Sequence, residues 1–411
     1  MDERAAVAWV HRRIGLGLSP DELDAARARG VDVELDRLAH PTDTSDPWAG
    51  VEVPTDPQAT RAQRVTVIMA WVDHLATTTT PLLDRLAWTL HGWLVSSMDK
   101  VRSPAQMVGQ IRLFREQGSG RFPDLLRAVA TDPAMLFYLD GRDSTAGAPN
   151  ENFSRELMEL FALGVGAYGE DDVQAGARAF TGWTVGRRDT ASTFRRARHD
   201  DSPQQYLRQA GVHDVDTALA SVTAQPAHPA FVATRLAREV LGVDDAETVG
   251  ALTGAYEAGD RRLDAVVLAA ARLGVAGSPA PVVLGPVPWL AMARRATGAS
   301  PPVGELAKGL QAAGQIPMFP PNVAGWPRGE VWFASSTVVA RANLAAAVAR
   351  STDPGHPTLA AAGSGDLDAL ADHLGVPTGR FGEATAGALR SAADPRTRLA
   401  LALTSPEMVI A

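Results

Sequence analysis

Cysteine is absent from the 411 residues. That excludes a disulfide framework, Cys-ligated zinc, an iron–sulfur cluster and a thiol nucleophile. Lysine is almost absent too: of 39 basic side chains only Lys100 and Lys308 are Lys, and the other 37 are Arg. Only four Asn occur, Asn150, Asn152, Asn322 and Asn343, against 72 Ala. GC-rich coding produces such a bias, and it strips Asn from tolerant surface positions. The survivors therefore mark places worth inspecting. No apolar run reaches the roughly 18 residues that span a membrane. The start, MDERAAVAWVHRRIGLG, lacks the basic and apolar blocks of a signal peptide, so the expectation is a cytoplasmic chain or one exported with its leader removed. The net charge of −8 argues against general nucleic-acid binding. There is no Walker loop, no dinucleotide-binding glycine motif, no Gly-x-Ser-x-Gly elbow and no His-Glu-x-x-His. ATP, NAD, serine-esterase and zincin chemistry are poor readings, and no cofactor is called for.

Helical periodicity dominates what is there. Residues 59–76, 82–97, 104–117, 122–130, 150–164, 170–182, 228–241, 260–273, 335–350 and 395–404 each read as amphipathic helices. Ser19-Pro20-Asp21-Glu22 reads as a helix start. The prediction is a mostly α, large multi-helix globular protein with a short β-hairpin-like excursion near 183–198. Residues 1–350 form the main helical domain, with a Pro/Asp-rich connector at 41–58 and an irregular insertion at 184–203. Residues 351–411 form a small C-terminal helical part packed on it.

The most informative segment is PNENFSRELMELFALG, residues 149–164. Asn150 is placed to cap the helix that follows. At about 100° per residue, Glu151, Arg155, Glu159 and Glu156 share a face roughly 140° wide, opposite Phe153, Leu157, Leu160 and Phe161. Glu170, Asp171 and Asp172 open the next helix, which carries Arg178 and ends at Trp183. Clustered carboxylates raise one another's pKa, and an Arg between them holds one ionised. Such a set suits general acid–base chemistry. The same spacing also fits a solvated face of Glu–Arg pairs.

These strings, with HRRIGLG (11–17), LHGWLVSSMDKV (90–101), FPDLLRAVATDPAMLFYLDG (122–141), FPPNVAGWPRGEVWFASSTVVARAN (319–343) and the final LTSPEMVIA, resemble the bacterial domain-of-unknown-function family 1800 across nearly the whole chain. The resemblance implies a mostly helical bacterial protein and transfers no mechanism. It also implies a sulfatase-like protein encoded nearby as a possible partner. The family pattern often has two His two apart; here His91 stands and the second position is Trp93. A metal site needing both is weakened, and Glu156-x-x-Glu159 lacks the Glu-x-x-His pair of a di-iron bundle. No metal ligand is assigned.

Two further stretches carry candidates. Five Arg in 187–198, among them Arg195, precede His199-Asp200, so the loop suits anionic groups and His199 could act as a base. The Pro-rich loop holds Asn322, which also reads as a turn residue, and Trp326 and Trp332, whose rings suit sugar stacking and equally suit plugging the core. The first functional reading is a carboxylate-dependent hydrolase acting on a carbohydrate polymer, an anionic one included. Glu151, Glu156, Asp171, Asp172 and His199 would be catalytic. Asn150, Asn152, Arg155, Arg178, Trp183, Arg195, Asn322, Trp326, Trp332 and His91 would bind substrate. The alternatives are a non-catalytic binding or assembly protein whose acid–Arg motif is a structural network, and a metal-dependent hydrolase.

Overall fold

The computed structural model describes residues 1–42, 45–277 and 279–411. Positions 43 and 44 of the expected connector 41–58 lie outside the described residues. The protein is mostly α, and its β structure is confined to two small antiparallel pairs and isolated bridges. Trp183–Thr184 pairs with Thr193–Phe194, which is the short hairpin expected there, and Gln204–Tyr206 pairs with Gln209–Val212. Among the described residues, no helix is long and apolar enough to cross a membrane.

The helix starts follow from local chemistry. Ser19 accepts from Glu22 N while Glu22 accepts from Ser19 N, a reciprocal cap around Pro20. The helix expected at 82–97 runs only over Pro81–His91, because the chain turns at Gly92 and the carbonyl of Gly92 is taken by Arg235. The helix expected from 260 starts at Leu263, since Asp260 and Arg261 are left-handed. The motif helix begins at Asn152 and changes pitch: Leu157–Ala162 is a π-helical turn. Asn150 does not cap it. Its Oδ1 accepts from Asn152 N in a local turn instead.

All eleven residues of Pro81–His91 are buried, so this helix runs through the interior rather than along a surface. Leu82, Leu86 and Leu90 join one apolar cluster with Trp93, Phe122, Phe161 and Leu236. Trp88 joins a second with Trp71, Trp289, Trp326 and Leu344. Residues 359–409 contribute Leu359, Leu370, Leu399 and Val409 to that second cluster. Asp84 is the polar anchor of the helix: it accepts from Thr78, Thr80 and Arg115 and meets His74.

The first helix, Glu3–Arg13, carries two buried arginines to the far end of the chain. Arg12 Nη2 donates to the carbonyls of Glu407, Met408 and Ile410 at 2.8, 3.2 and 2.9 Å. Arg13 donates to the carbonyls of Val240 and Ala280 and to Ala411 O. The segment thus held pairs with 282–284: Leu284 N donates to Val409 O at 2.9 Å and Val282 N to Ala411 O at 3.0 Å. Burial pushes Arg12 down to about 10, and burial with repulsion from Arg12 and Arg85 pushes Arg13 down to about 9. Both stay cationic at neutral pH. Truncating Arg12 strands three carbonyls, each costing on the order of 1 kcal/mol or more. Arg12→Met is expected to lower unfolding free energy by about 3 kcal/mol in urea titration. An unchanged midpoint would show that the clasp contributes nothing.

Candidate functional site

The Asn-Glu-Asn segment places its charges differently from a simple helical wheel. Arg155 pairs with Glu151 at 3.3 Å and with Glu170 at 2.7 Å, tying the motif helix to the start of Glu170–Ala179. The π turn carries Glu159 away from Arg155, and Glu159 accepts from Tyr168 Oη at 2.9 Å. Glu156 is half-buried and forms no ion pair among the described residues. Burial, then repulsion from Glu159, raises its carboxyl above the usual range, against the pull of Arg155. The Tyr138 hydroxyl is also pushed up, by burial and then by Glu156 and Asp99. Asp172 accepts from Gly169 N and Leu207 N, so it caps its helix and pins the second hairpin. Asp171 is exposed. Asn152 is exposed and reaches Asp140, which Lys100 also meets at 2.6 Å.

The hairpin side holds a second group. His199 Nδ1 lies 3.0 Å from Thr181 O. A carbonyl only accepts, so Nδ1 carries the proton and Nε2 is the basic nitrogen. Asp200 accepts from Ser202 and from Arg178 at 3.0 Å, which together hold it below the usual carboxylate range. Trp183 is half-buried against Phe194, with Arg127 over its ring at 5.5 Å. The Arg195 side chain is exposed, and its backbone N–H donates to Gly182 O.

His91, Trp326 and Trp332 lie elsewhere, within and against the second apolar cluster. His91 is fully buried; its Nε2 accepts from Met318 N at 3.0 Å, and burial pushes its pKa down to about 3. It stays neutral and holds Met318, which is left-handed, beneath the Pro-rich loop. Asn322 accepts from Ala324 N and turns that loop. Trp326 stacks on Trp88 with centroids 5.0 Å apart and meets His91 edge-on. Gly325 precedes it at φ +89°, and a Cβ there would sit 2.2 Å from Gly92 O, so only glycine brings the loop onto the central helix.

Beside this aromatic cluster opens a cleft of about 690 Å³. Trp88, Trp326, Trp332 and Phe333 form its aromatic lining, and Val282–Leu284 with Ile410 form a second wall. The second wall is the pairing that Arg12 and Arg13 hold. Arg85, Glu239, Arg328 and Glu330 supply charge. Glu239 Oε1 lies 3.6 Å from Arg85 and Oε2 3.7 Å from Arg328, with Thr89 Oγ1 at 3.5 Å. Burial disfavours the Glu239 anion, but Arg328, Arg85 and Arg235 outweigh it and hold the carboxyl below its ordinary value. Trp326 and Trp332 are 9 % and 4 % exposed, whereas Phe333 is 43 % exposed.

Of the residues singled out in the sequence, only Trp326 and Trp332 line this cleft; Glu151, Glu156, Asp171, Asp172 and His199 do not. Arg85, Glu239, Arg328 and Phe333 escaped sequence reading. The one signal was an Asp-Arg pair inside the apolar run PLLDRLAWTL. Among the described residues no three His, Asp or Glu converge as metal ligands.

The Arg155 pairs are exposed, and such pairs contribute little to stability. Arg155→Met is expected to leave the melting temperature within about 2 °C of wild type by calorimetry. A fall of more than about 5 °C would make the motif a structural network.

Comparison with curated proteins and with solved structures finds no match. A family model does match, over residues 9–410, and spans the buried arginines, the central helix, the Asn-Glu-Asn helix and both walls of the cleft. The chain belongs to the family described as Protein of unknown function (DUF1800).

Proposed function

We propose that this chain binds a carbohydrate chain in the cleft between Phe333 and the Val282–Leu284 wall. The observation that carries this reading is one cavity of about 690 Å³ that combines aromatic side chains with a few convergent charged groups. Small-ligand sites fall in the range of roughly 300–1,000 Å³ and are built this way. A pyranose has an apolar face for an aromatic ring and polar edges for carboxylates and guanidiniums. Phe333 supplies the exposed ring, and Glu239, Glu330, Arg85 and Arg328 supply the polar partners. A polysaccharide is the natural occupant of a cleft open to solvent. A sulfatase-like partner, implied by the family resemblance, would act on the same class of polymer.

Binding in the cleft is tested by following tryptophan fluorescence during titration with a panel of oligosaccharides. The Trp88–Trp326 pair at the cleft wall is the reporter. Phe333→Ala is expected to weaken the best ligand at least fivefold without moving the melting temperature, because the ring is largely exposed. Equal affinity in wild type and F333A, or no response to any oligosaccharide, overturns the reading.

A carboxylate-dependent hydrolase is the second reading, and Glu156 favours it. A half-buried carboxyl with a raised pKa and no ion pair is the state a general acid needs. Glu151, Asp171, Asp172 and His199 would be its candidate partners. Such an acid is active while protonated, so polysaccharide cleavage would fall as pH rises through the raised Glu156 pKa. Reducing-end release should be lost in Glu156→Gln. Equal release by both proteins removes Glu156 from the chemistry.

A further inference from the structure

Arg85 occupies an unusual position for a guanidinium. Its side chain is 7 % exposed, on a helix that is buried all round. Nε and Nη1 are closed off from solvent and find no acceptor among the described residues. The remaining nitrogen meets Glu239 at 3.6 Å, beyond hydrogen-bond distance. Other buried arginines, Arg12, Arg13 and Arg341 among them, also leave Nε unmatched among the described residues, but each has close acceptors on its other nitrogens: Arg12 meets three carbonyls, whereas Arg85 has no contact shorter than 3.6 Å.

Glu239 is held as loosely. Its contacts to Thr89, Arg85 and Arg328 lie at 3.5, 3.6 and 3.7 Å, so it is surrounded by donors without a close bond to any. Arg235 adds another cation nearby; it donates to Gly92 O and lies over Trp93, and its Nε is unpartnered. Three guanidiniums thus surround one carboxylate, and two of them, Arg85 and Arg328, line the cleft, in a chain whose net charge is −8. Enclosed positive charge in excess of its acceptors is costly and is relieved by a bound anion. The Arg fork matches a carboxylate or a sulfate oxygen pair.

We propose that the inner end of the cleft is a seat for an oxyanion carried on the sugar ring, a carboxylate or sulfate ester, held by Arg85 and Arg328 beside Glu239. This rests on the carbohydrate reading of the cleft and names the substrate class as acidic glycan. Arg85 supplies a buried cation in the cleft lining, and Arg328, whose side chain is 44 % exposed, supplies the accessible fork at the rim. The aromatic side fixes the ring while the guanidiniums take its charged substituent.

The test uses the full chain, calorimetric titration and tryptophan fluorescence, with glucuronate, glucose and inorganic sulfate at matched ionic strength. Glucuronate is expected to bind at least tenfold tighter than glucose, and sulfate to compete with it. Arg85→Met and Arg328→Gln should each cut that preference below threefold. Arg328→Gln, at the rim, serves if the buried substitution fails to fold. Equal affinity for glucose and glucuronate removes the anion seat and leaves carbohydrate binding in place. A preference that persists in Arg328→Gln and in a folded Arg85→Met also removes it. Sulfate binding that depends on Arg328, with no response to either sugar, supports the seat and removes the carbohydrate. Silence toward all three ligands removes both.

Discussion

Two arginines at the end of the first helix hold the architecture together. Arg12 and Arg13 are buried, and every close contact of their guanidiniums is to a main-chain oxygen, apart from the Met408 sulfur. The carbonyl acceptors of Arg12 neutralise no charge, so that cation is solvated by backbone dipoles rather than paired with an acid. The geometry this requires fixes residues 407–411 against 282–284, and that pairing is one wall of the cleft. Arg13 in turn repels Arg85, so the clasp and the floor of the cleft share one electrostatic field.

The central helix joins these parts. Asp84 and Arg85 are adjacent, yet they point into different networks. Asp84 is fully satisfied by Thr78, Thr80 and Arg115, and it anchors the helix. Arg85 lines the cleft and has no acceptor within hydrogen-bond distance among the described residues. One turn later Trp88 stacks with Trp326, and His91 holds Met318, so the Pro-rich loop is seated from a single helix. The carboxylates of the Asn-Glu-Asn helix belong to another region. Trp93, whose indole donates to Leu160 O, is one direct link between the two.

The mostly helical fold was legible because periodicity and caps are local. Helix ends failed where a distant contact decided them: Arg235 at Gly92 and the left-handed pair Asp260-Arg261 lie outside any local pattern. The wheel for 151–159 assumed a constant pitch, and the π turn at Leu157–Ala162 broke that assumption. Asn placement proved a mixed guide. Asn150 and Asn322 do shape turns through their side chains, whereas Asn343 sits on an exposed helical face. The cleft was largely illegible, because Arg85, Glu239 and Arg328 come from separate segments and only tertiary packing assembles them. Trp326 and Trp332 were found by residue type alone. An indole looks the same in a sequence whether it plugs a core or faces a ligand, and both rings are largely buried, in line with the core-plug reading.

The arginine clasp also bears on the order in which the molecule takes shape. Arg12 and Met408 are 396 residues apart, so their contact waits for nearly the whole chain between them to be made. Until then the first helix carries two cations whose final acceptors do not yet exist, and it cannot be buried without penalty. Closing so long a loop is entropically slow. The cleft is completed late, when the segment carrying Ile410 pairs with Val283.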